Sequence, residues 1–253
     1  MQLNLQGKSV LVTGSSRGIG LCIAEAFLAE GAEVAFNSRN GDDLKHVIAK
    51  QVGGRSIAVD GDVSKAVEAD KVIKRVLASF GKLDILICNV GSGNSVLSGT
   101  ESHEEWLRVF EVNLWSTTNI VEAGRSALAS SQGAIVCISS ICGQELISGA
   151  PLTYSVAKAA LNAYIHGIAH PLGKEGVRIN GIAPGNILFD GSVWQRKVKD
   201  DAKAVEQMLI RDVALARLGT PQEVANLALW LASPVASFCT GSIFVADGGQ
   251  VRS

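Results

Sequence analysis

Short apolar runs separated by longer stretches of helical spacing recur along nearly the whole chain, and this alternation restricts the fold more than any other feature. The runs fall at 8–13, 32–38, 55–62, 83–89, 133–140, 176–184 and about 242–247. Between them lie helical stretches at 17–31, after 38 to about Gln51, at 64–81, from about Glu101, from Thr153 onward, and at 220–233. LDILICN (83–89) is almost continuously apolar, as a strand covered on both faces should be. Such alternation predicts one doubly wound parallel sheet of about seven strands with helices on both faces. No repeat, low-complexity tract or linker divides the 253 residues, so 1–253 is expected to form a single α/β domain.

Local punctuation agrees with these boundaries. Thr220 can cap the helix beginning at Pro221, and Glu223 stands where a capping box needs it. Gly31 closes the first helix, and Pro171 is expected to bend or end the helix that starts near Tyr154.

The bulk composition removes several classes of function. A formal net charge of -1 offers no reason to expect nucleic acid or an anionic membrane as the partner. The densest charge run, RKVKDD (196–201), reads as a solvated helix face. No apolar run reaches 18 residues, and the first residues do not resemble a signal peptide. Five cysteines without a Cys-x-x-Cys pair suit buried reduced thiols, and hence a cytoplasmic protein. The four histidines make no metal-ligand pattern, so no metal is expected.

The first strand runs into VLVTGSSRGIG (10–20) and then a helix. Gly14 permits the sharp turn, while Gly18 and Gly20 let backbone approach a pyrophosphate at the helix N-terminus. An ordinary βα turn could look the same, but the strand–loop–helix context at the first strand favours a Rossmann-type dinucleotide site. After the second strand the chain reads Asn37-Ser38-Arg39-Asn40, with no acid before Asp42. A carboxylate there would bind an adenosine 2′-hydroxyl, whereas Arg39, with Arg17 as a second cation, suits a 2′-phosphate. NADP(H) is therefore expected over NAD(H).

Tyr154 and Lys158 lie four residues apart on one helical face. Alone, the pair also suits a plain surface contact. Reduction of a carbonyl, however, needs an acid beside the oxygen, and an ammonium beside a phenol is expected to favour phenolate for the reverse direction. A serine at the end of a strand would add a donor to the same oxygen.

These features together resemble the short-chain dehydrogenase/reductase family over nearly the whole chain. The motifs are Thr13 with Gly14, Gly18 and Gly20, Asp62-Val63, Asn113, Ser140 in ISSICG, Tyr154-Ser-Val-Ala-Lys158, Pro184-Gly185 and Asp247-Gly248-Gly249. The resemblance implies hydride transfer between a nicotinamide and an alcohol or carbonyl. It makes Tyr154 the proton donor or acceptor and Lys158 its electrostatic partner on the nicotinamide ribose. Ser140 would hold the substrate oxygen in preference to Ser139, and Asn113 would hold a water joining Lys158 to solvent. The cofactor would lie along Gly14, Ser16, Arg17, Gly18, Ile19 and Gly20, then Ser38 and Arg39, with Asp62 and Val63 beside the adenine. Asn89 and Gly91 would follow it, and Pro184, Gly185 and Ile187 would meet the nicotinamide end.

Two places depart from the family pattern. Val90 replaces the alanine common between Asn89 and Gly91, and Phe189 stands where relatives often have a cofactor-binding threonine. The segment 186–216 is expected to be a substrate lid, with Phe189 and Trp194 as pocket walls and Arg196 and Lys197 near a mouth suited to a phosphorylated handle. The resemblance points to a ketoreductase like 3-oxoacyl-acyl-carrier-protein reductases, acting on a small or carrier-linked carbonyl as a homodimer or homotetramer. A sugar or nucleotide-sugar oxidoreductase, and a non-catalytic NADP-binding regulator, are the alternatives.

Overall fold

The computed structural model describes residues 2–49, 51 and 54–252. Seven parallel strands form one sheet in the order β3-β2-β1-β4-β5-β6-β7. The strands are β1 (Ser9–Val12), β2 (Glu33–Ser38), β3 (Ser56–Asp60), β4 (Ile85–Cys88), β5 (Ala134–Ile138), β6 (Arg178–Pro184) and β7 (Ile243–Ala246). The expected α/β sheet with helices on both faces is what forms.

Period-two alternation explains why the central strands are apolar throughout. Val10, Val12, Ile85, Ile87, Val136 and Ile138 enter one core, under helices α1 (Gly18–Ala29) and α8 (Pro221–Ala232). Their neighbours Leu11, Leu86, Cys88, Ile135 and Cys137 enter the other core. That second core lies under α3 (Ala66–Phe80), α5 (Ser116–Ser131) and α6 (Leu152–Lys174). The capping box of α8 is present, Thr220 Oγ1 accepting from the Glu223 amide and Glu223 from the Thr220 amide.

Several boundaries differ from the sequence reading. The helix α2 (Gly41–Ile48) stops short of Gln51; of the residues after Ile48, Lys50 lies outside the described residues. Pro171 does not end α6, which runs three residues beyond it to Lys174. The expected long helix from Glu101 is α4 (His103–Phe110), a π-helical turn at Glu111–Trp115, and then α5. Asn113 sits in that turn, where its Nδ2 donates to the Val109 carbonyl at 3.0 Å. The side chain thus takes a carbonyl that the next helical turn would otherwise use. Finally, α7 (Val193–Asp212) breaks at Asp201, where the backbone is extended. The Asp201 carboxylate caps the second half by accepting from the Ala204 amide at 2.9 Å.

Two glycines differ sharply in what surrounds them. A Cβ on Gly20 would lie 2.3 Å from Asn89 Nδ2 and 2.5 Å from the Gly14 carbonyl, whereas one on Gly167, exposed within α6, would meet nothing within 4 Å. Gly20→Ala should lower stability by about 1–3 kcal/mol through overpacking. Gly167→Ala should raise it by about 0.5–1 kcal/mol through helix propensity. Denaturant melts of the two variants should therefore move in opposite directions.

Candidate active site

The turn after β1 is fastened to its neighbours by side chains. Asn89 Nδ2 donates to the carbonyls of Thr13 (3.1 Å) and Gly14 (3.0 Å), and Thr13 Oγ1 accepts from the Asn89 amide at 3.0 Å. Gly14 (φ 62°) and Gly18 (φ 60°) occupy the left-handed region that favours glycine. On the far side, Ser15 Oγ accepts from the Asn37 amide at 2.9 Å, while Asn37 Nδ2 donates to the Val59 and Gly61 carbonyls. Nothing in the residue pattern singles out Ser15 or Asn37 for this. The N-terminus of α1 has no side-chain cap, so its first amides are free for an anionic ligand.

The predicted residues divide into two groups. Gly14, Arg17, Ile19, Gly20, Asn89 and Gly91 line one cavity of about 1120 Å³. So do Ser140, Tyr154, Lys158, Pro184, Gly185 and Ile187. Ser16, Gly18, Ser38, Arg39, Asp62, Val63 and Asn113 do not line it. Gly18 lies beneath the Phe189 ring, which a Cβ there would meet at 2.6 Å. Ser38 Oγ donates to the Asn40 carbonyl at 2.7 Å, and Asp62 Oδ1 accepts from Ser64 Oγ at 2.7 Å. The Val63 side chain is buried in the second core. Arg17 and Arg39 are exposed at this end and make no side-chain hydrogen bond or ion pair among the described residues.

Where β5 ends, two adjacent serines face different partners. Ser139 Oγ donates to Asn162 Oδ1 at 2.6 Å, so that hydroxyl is engaged with α6. Ser140 Oγ accepts from the Cys142 amide at 3.1 Å, and its hydroxyl lies on the same cavity wall as the Tyr154 phenol. Burial pushes the Tyr154 pKa up to about 12, which the nearby Ser140 hydroxyl offsets only in part. The ammonium of Lys158 lies 5.9 Å from the Tyr154 ring centroid and donates to the Ile138 carbonyl at 2.9 Å. Burial lowers its own pKa to about 8. The phenol is therefore raised, not lowered as expected from the neighbouring ammonium, because desolvation of the site dominates.

Asn113 stands behind this cluster, buried. Its Oδ1 accepts from the Ser92 amide at 2.9 Å, and its Nδ2 donates to the carbonyls of Ser92 and Val109 at 3.0 Å. The side-chain amide thus fixes the backbone that follows Gly91. A Cβ on Gly91 would lie 3.1 Å from Lys158 Nζ and 3.2 Å from Asn113 Oδ1, so only glycine leaves both undisturbed.

The segment 186–216 covers the opposite side of the cavity. Phe189, Trp194, Arg196, Lys197 and Met208 all line it. All the charged residues of the RKVKDD run are exposed, as expected, and Arg196 and Lys197 also line the cavity mouth. Phe189 packs on Gly18 and the first core. Three residues on, Ser192 Oγ accepts from the Gln195 amide (3.0 Å) and the Phe189 amide (3.3 Å). Its own proton has no acceptor among the described residues, and no motif in the sequence marks it.

The family described as enoyl-(acyl carrier protein) reductase matches residues 14–250. The 3-oxoacyl-[acyl-carrier-protein] reductase of Chlamydia muridarum is 34% identical over 252 residues, covering 97% of this chain and 98% of that one. The chain belongs to the short-chain dehydrogenase/reductase family. Among solved structures, L-sorbose reductase from Gluconobacter frateurii, complexed with NADPH and L-sorbose, superposes with a TM-score of 0.93 at 29% identity over the full length of both chains. A 7α-hydroxysteroid dehydrogenase complexed with NADH and 7-oxo glycochenodeoxycholic acid gives 0.90 at 31%, covering 100% of this chain and 97% of that one. The protein is a nicotinamide-dependent oxidoreductase of the short-chain dehydrogenase/reductase family, acting on hydroxyl or carbonyl groups.

The residues present fit such a cofactor. Added side chains at Gly18 and Gly20 would collide with neighbours, and the uncapped α1 terminus offers amides to a pyrophosphate. Among the described residues, no cluster of His, Cys, Asp and Glu could hold a metal, and no helix is long and apolar enough to cross a membrane.

Lys158 carries a stability cost that can be measured. Its pKa falls from 10.5 to about 8 on folding, so the unfolded chain binds that proton more tightly. The cost is fully present below pH 8, corresponds to roughly 3 kcal/mol, and fades as pH rises to 10.5. Lys158→Met should therefore raise the melting temperature of the cofactor-free protein at pH 7 by ~5 °C. The gap from wild type should shrink between pH 8 and 10.5 in calorimetric scans.

Proposed function

We propose that the protein is an NADPH-dependent carbonyl reductase of the 3-oxoacyl-acyl-carrier-protein reductase type. The carrying observation is that Ser140 and Tyr154 share one cavity wall, with the Lys158 ammonium 5.9 Å from the Tyr154 ring centroid. A bound nicotinamide supplies the hydride. Tyr154 Oη then gives its proton to the oxygen as negative charge builds there, and a group with a pKa near 12 holds that proton at every physiological pH. Ser140 Oγ donates to the same oxygen and fixes its position between the two hydroxyls. Lys158 steadies the charge left on the phenolate and holds the nicotinamide ribose.

Asn113 serves the pair from behind. Its amide is spent on Ser92 and Val109, so a water joining Lys158 to solvent would be held by main-chain groups of the π-helical turn. Ser192 is suited to the role of the missing threonine, since its hydroxyl proton is free beside Phe189. The segment 186–216 acts as the lid, and the enzyme works in the cytoplasm as a homodimer or homotetramer. A sugar substrate is the second reading, favoured by the likeness to L-sorbose reductase.

Preference for NADPH rests on two arginines. Among the described residues Arg17 and Arg39 have no ion-pair partner, whereas Arg55, Arg75, Arg108, Arg125, Arg211 and Arg217 are all paired with carboxylates. Binding of a 2′-phosphate would give Arg39 the anion it lacks. Asp62, the acid nearest this end after β3, is turned to Ser64.

Tyr154→Phe should reduce kcat by at least ~1000-fold while leaving NADPH affinity within about threefold, read by stopped turnover and fluorescence titration. Substantial residual kcat would remove Tyr154 from the role of acid. Arg39→Asp should reverse the ratio of kcat/KM for NADPH over NADH by about 100-fold, and an unchanged ratio would return the choice of cofactor to NADH.

A further inference from the structure

The cavity carries more positive charge than a dinucleotide site alone requires. Its lining includes Arg17, Lys158, Arg196, Lys197, Arg211 and Arg252, but only one acid, Asp212, which is already paired with Arg211 at 2.7 Å. Arg17 lies at the glycine loop and Lys158 is buried behind the phenol. Arg196 reaches the Asn94 side chain at 3.5 Å. Lys197 has no ion-pair partner among the described residues. Its ammonium sits over the Trp194 ring, 4.5 Å from the centroid, and this stacking holds a flexible side chain in one place.

That place opens on the same cavity as Ser140, Tyr154 and Cys142. Burial raises the Cys142 pKa, and the charges of Lys158 and Lys197 both oppose the rise, so the Lys197 field reaches this thiol. The Cys142 amide in turn donates to Ser140 Oγ. Across the same cavity, Leu146 and Ile210 expose 79% and 67% of their surface at the rim, a wall suited to a short apolar body.

We propose that Lys197 anchors an anionic group of the substrate, so that the enzyme prefers oxo compounds bearing a carboxylate or phosphate on a short apolar body. This rests on the carbonyl-reductase reading of Ser140 and Tyr154 and names its substrate class. An anion meeting Lys197 replaces its lost water with a fixed, unpaired cation, whereas a neutral substrate of the same shape leaves that cation unused.

The test uses linear oxo-carboxylates of four to eight carbons, their methyl esters and the matching oxo-alkyl phosphates. Turnover is followed with NADPH, and binding to the NADPH complex is followed by Trp fluorescence, with Trp194→Phe as the control for signal origin. Wild type should favour an acid or phosphate over the matched ester by roughly 10- to 100-fold in kcat/KM, chiefly through KM. Lys197→Met, which keeps an apolar chain on Trp194, should erase that preference and leave the ester unchanged. Lys197→Arg should retain most of it. The carboxylate and phosphate arms show which anion is taken. Equal use of acid and ester by wild type, or equal losses for both in Lys197→Met, would overturn the anchor. If no compound is turned over, the reductase reading fails for this class, and the binding arm still decides the anchor. Binding that depends on Lys197 supports it, and binding that is absent or indifferent to Lys197 overturns it.

Discussion

In a sheet whose strands all run one way, every strand delivers its C-terminal end to the same edge. That constraint organises this protein. Gly14–Gly20 follow β1, Ser38 and Arg39 close and follow β2, and Asp62 follows β3. Asn89 and Gly91 follow β4, Ser140 follows β5, and Pro184–Ile187 close and follow β6. The order reverses between β1 and β4, where neighbouring turns diverge to opposite faces and leave room for a ligand. Residues far apart in sequence become neighbours because of strand direction, before any side chain is considered.

Strand direction alone would leave the turns loose. Buried amides hold them: Asn89 fastens the first turn to β4, Asn37 joins β2 to the turn after β3, and Asn113 holds the segment after Gly91. Each satisfies backbone groups that the sheet leaves behind at its edge. The same side chains keep glycines close to their neighbours, so the first amides of α1 stay open instead of being capped. Rigidity around the site thus comes from inside the molecule, and the surface facing the ligand remains available.

Much of this was legible in the sequence because it rests on local rules. Near-continuous apolar strands, the glycine spacing and the Tyr154–Lys158 interval each depend on residues close together in the chain. What escaped depends on tertiary sums. The π-helical turn needs Asn113 to meet Val109 and Ser92 at once, and helical periodicity carries no sign of it. The rise in the Tyr154 pKa comes from burial by many groups, whereas the sequence shows only the one nearby ammonium. Likewise the mouth position of Arg196 and Lys197 was legible, but the break at Asp201, which divides their helix, was not.

The turn at Glu111–Trp115 also sets a phase. An α-helix advances about 100° per residue, and a π-helical turn accommodates one residue beyond that rhythm. Ahead of it, Val109 is buried on α4; behind it, Ile120, Val121 and Leu128 face the second core. Removing a single residue here would give a more regular helix and a worse protein, because one half would swing a quarter-turn away from its packing surface. This short stretch is therefore closed to single-residue insertions and deletions, and drift in chain length between relatives should collect in the segment over the cavity instead.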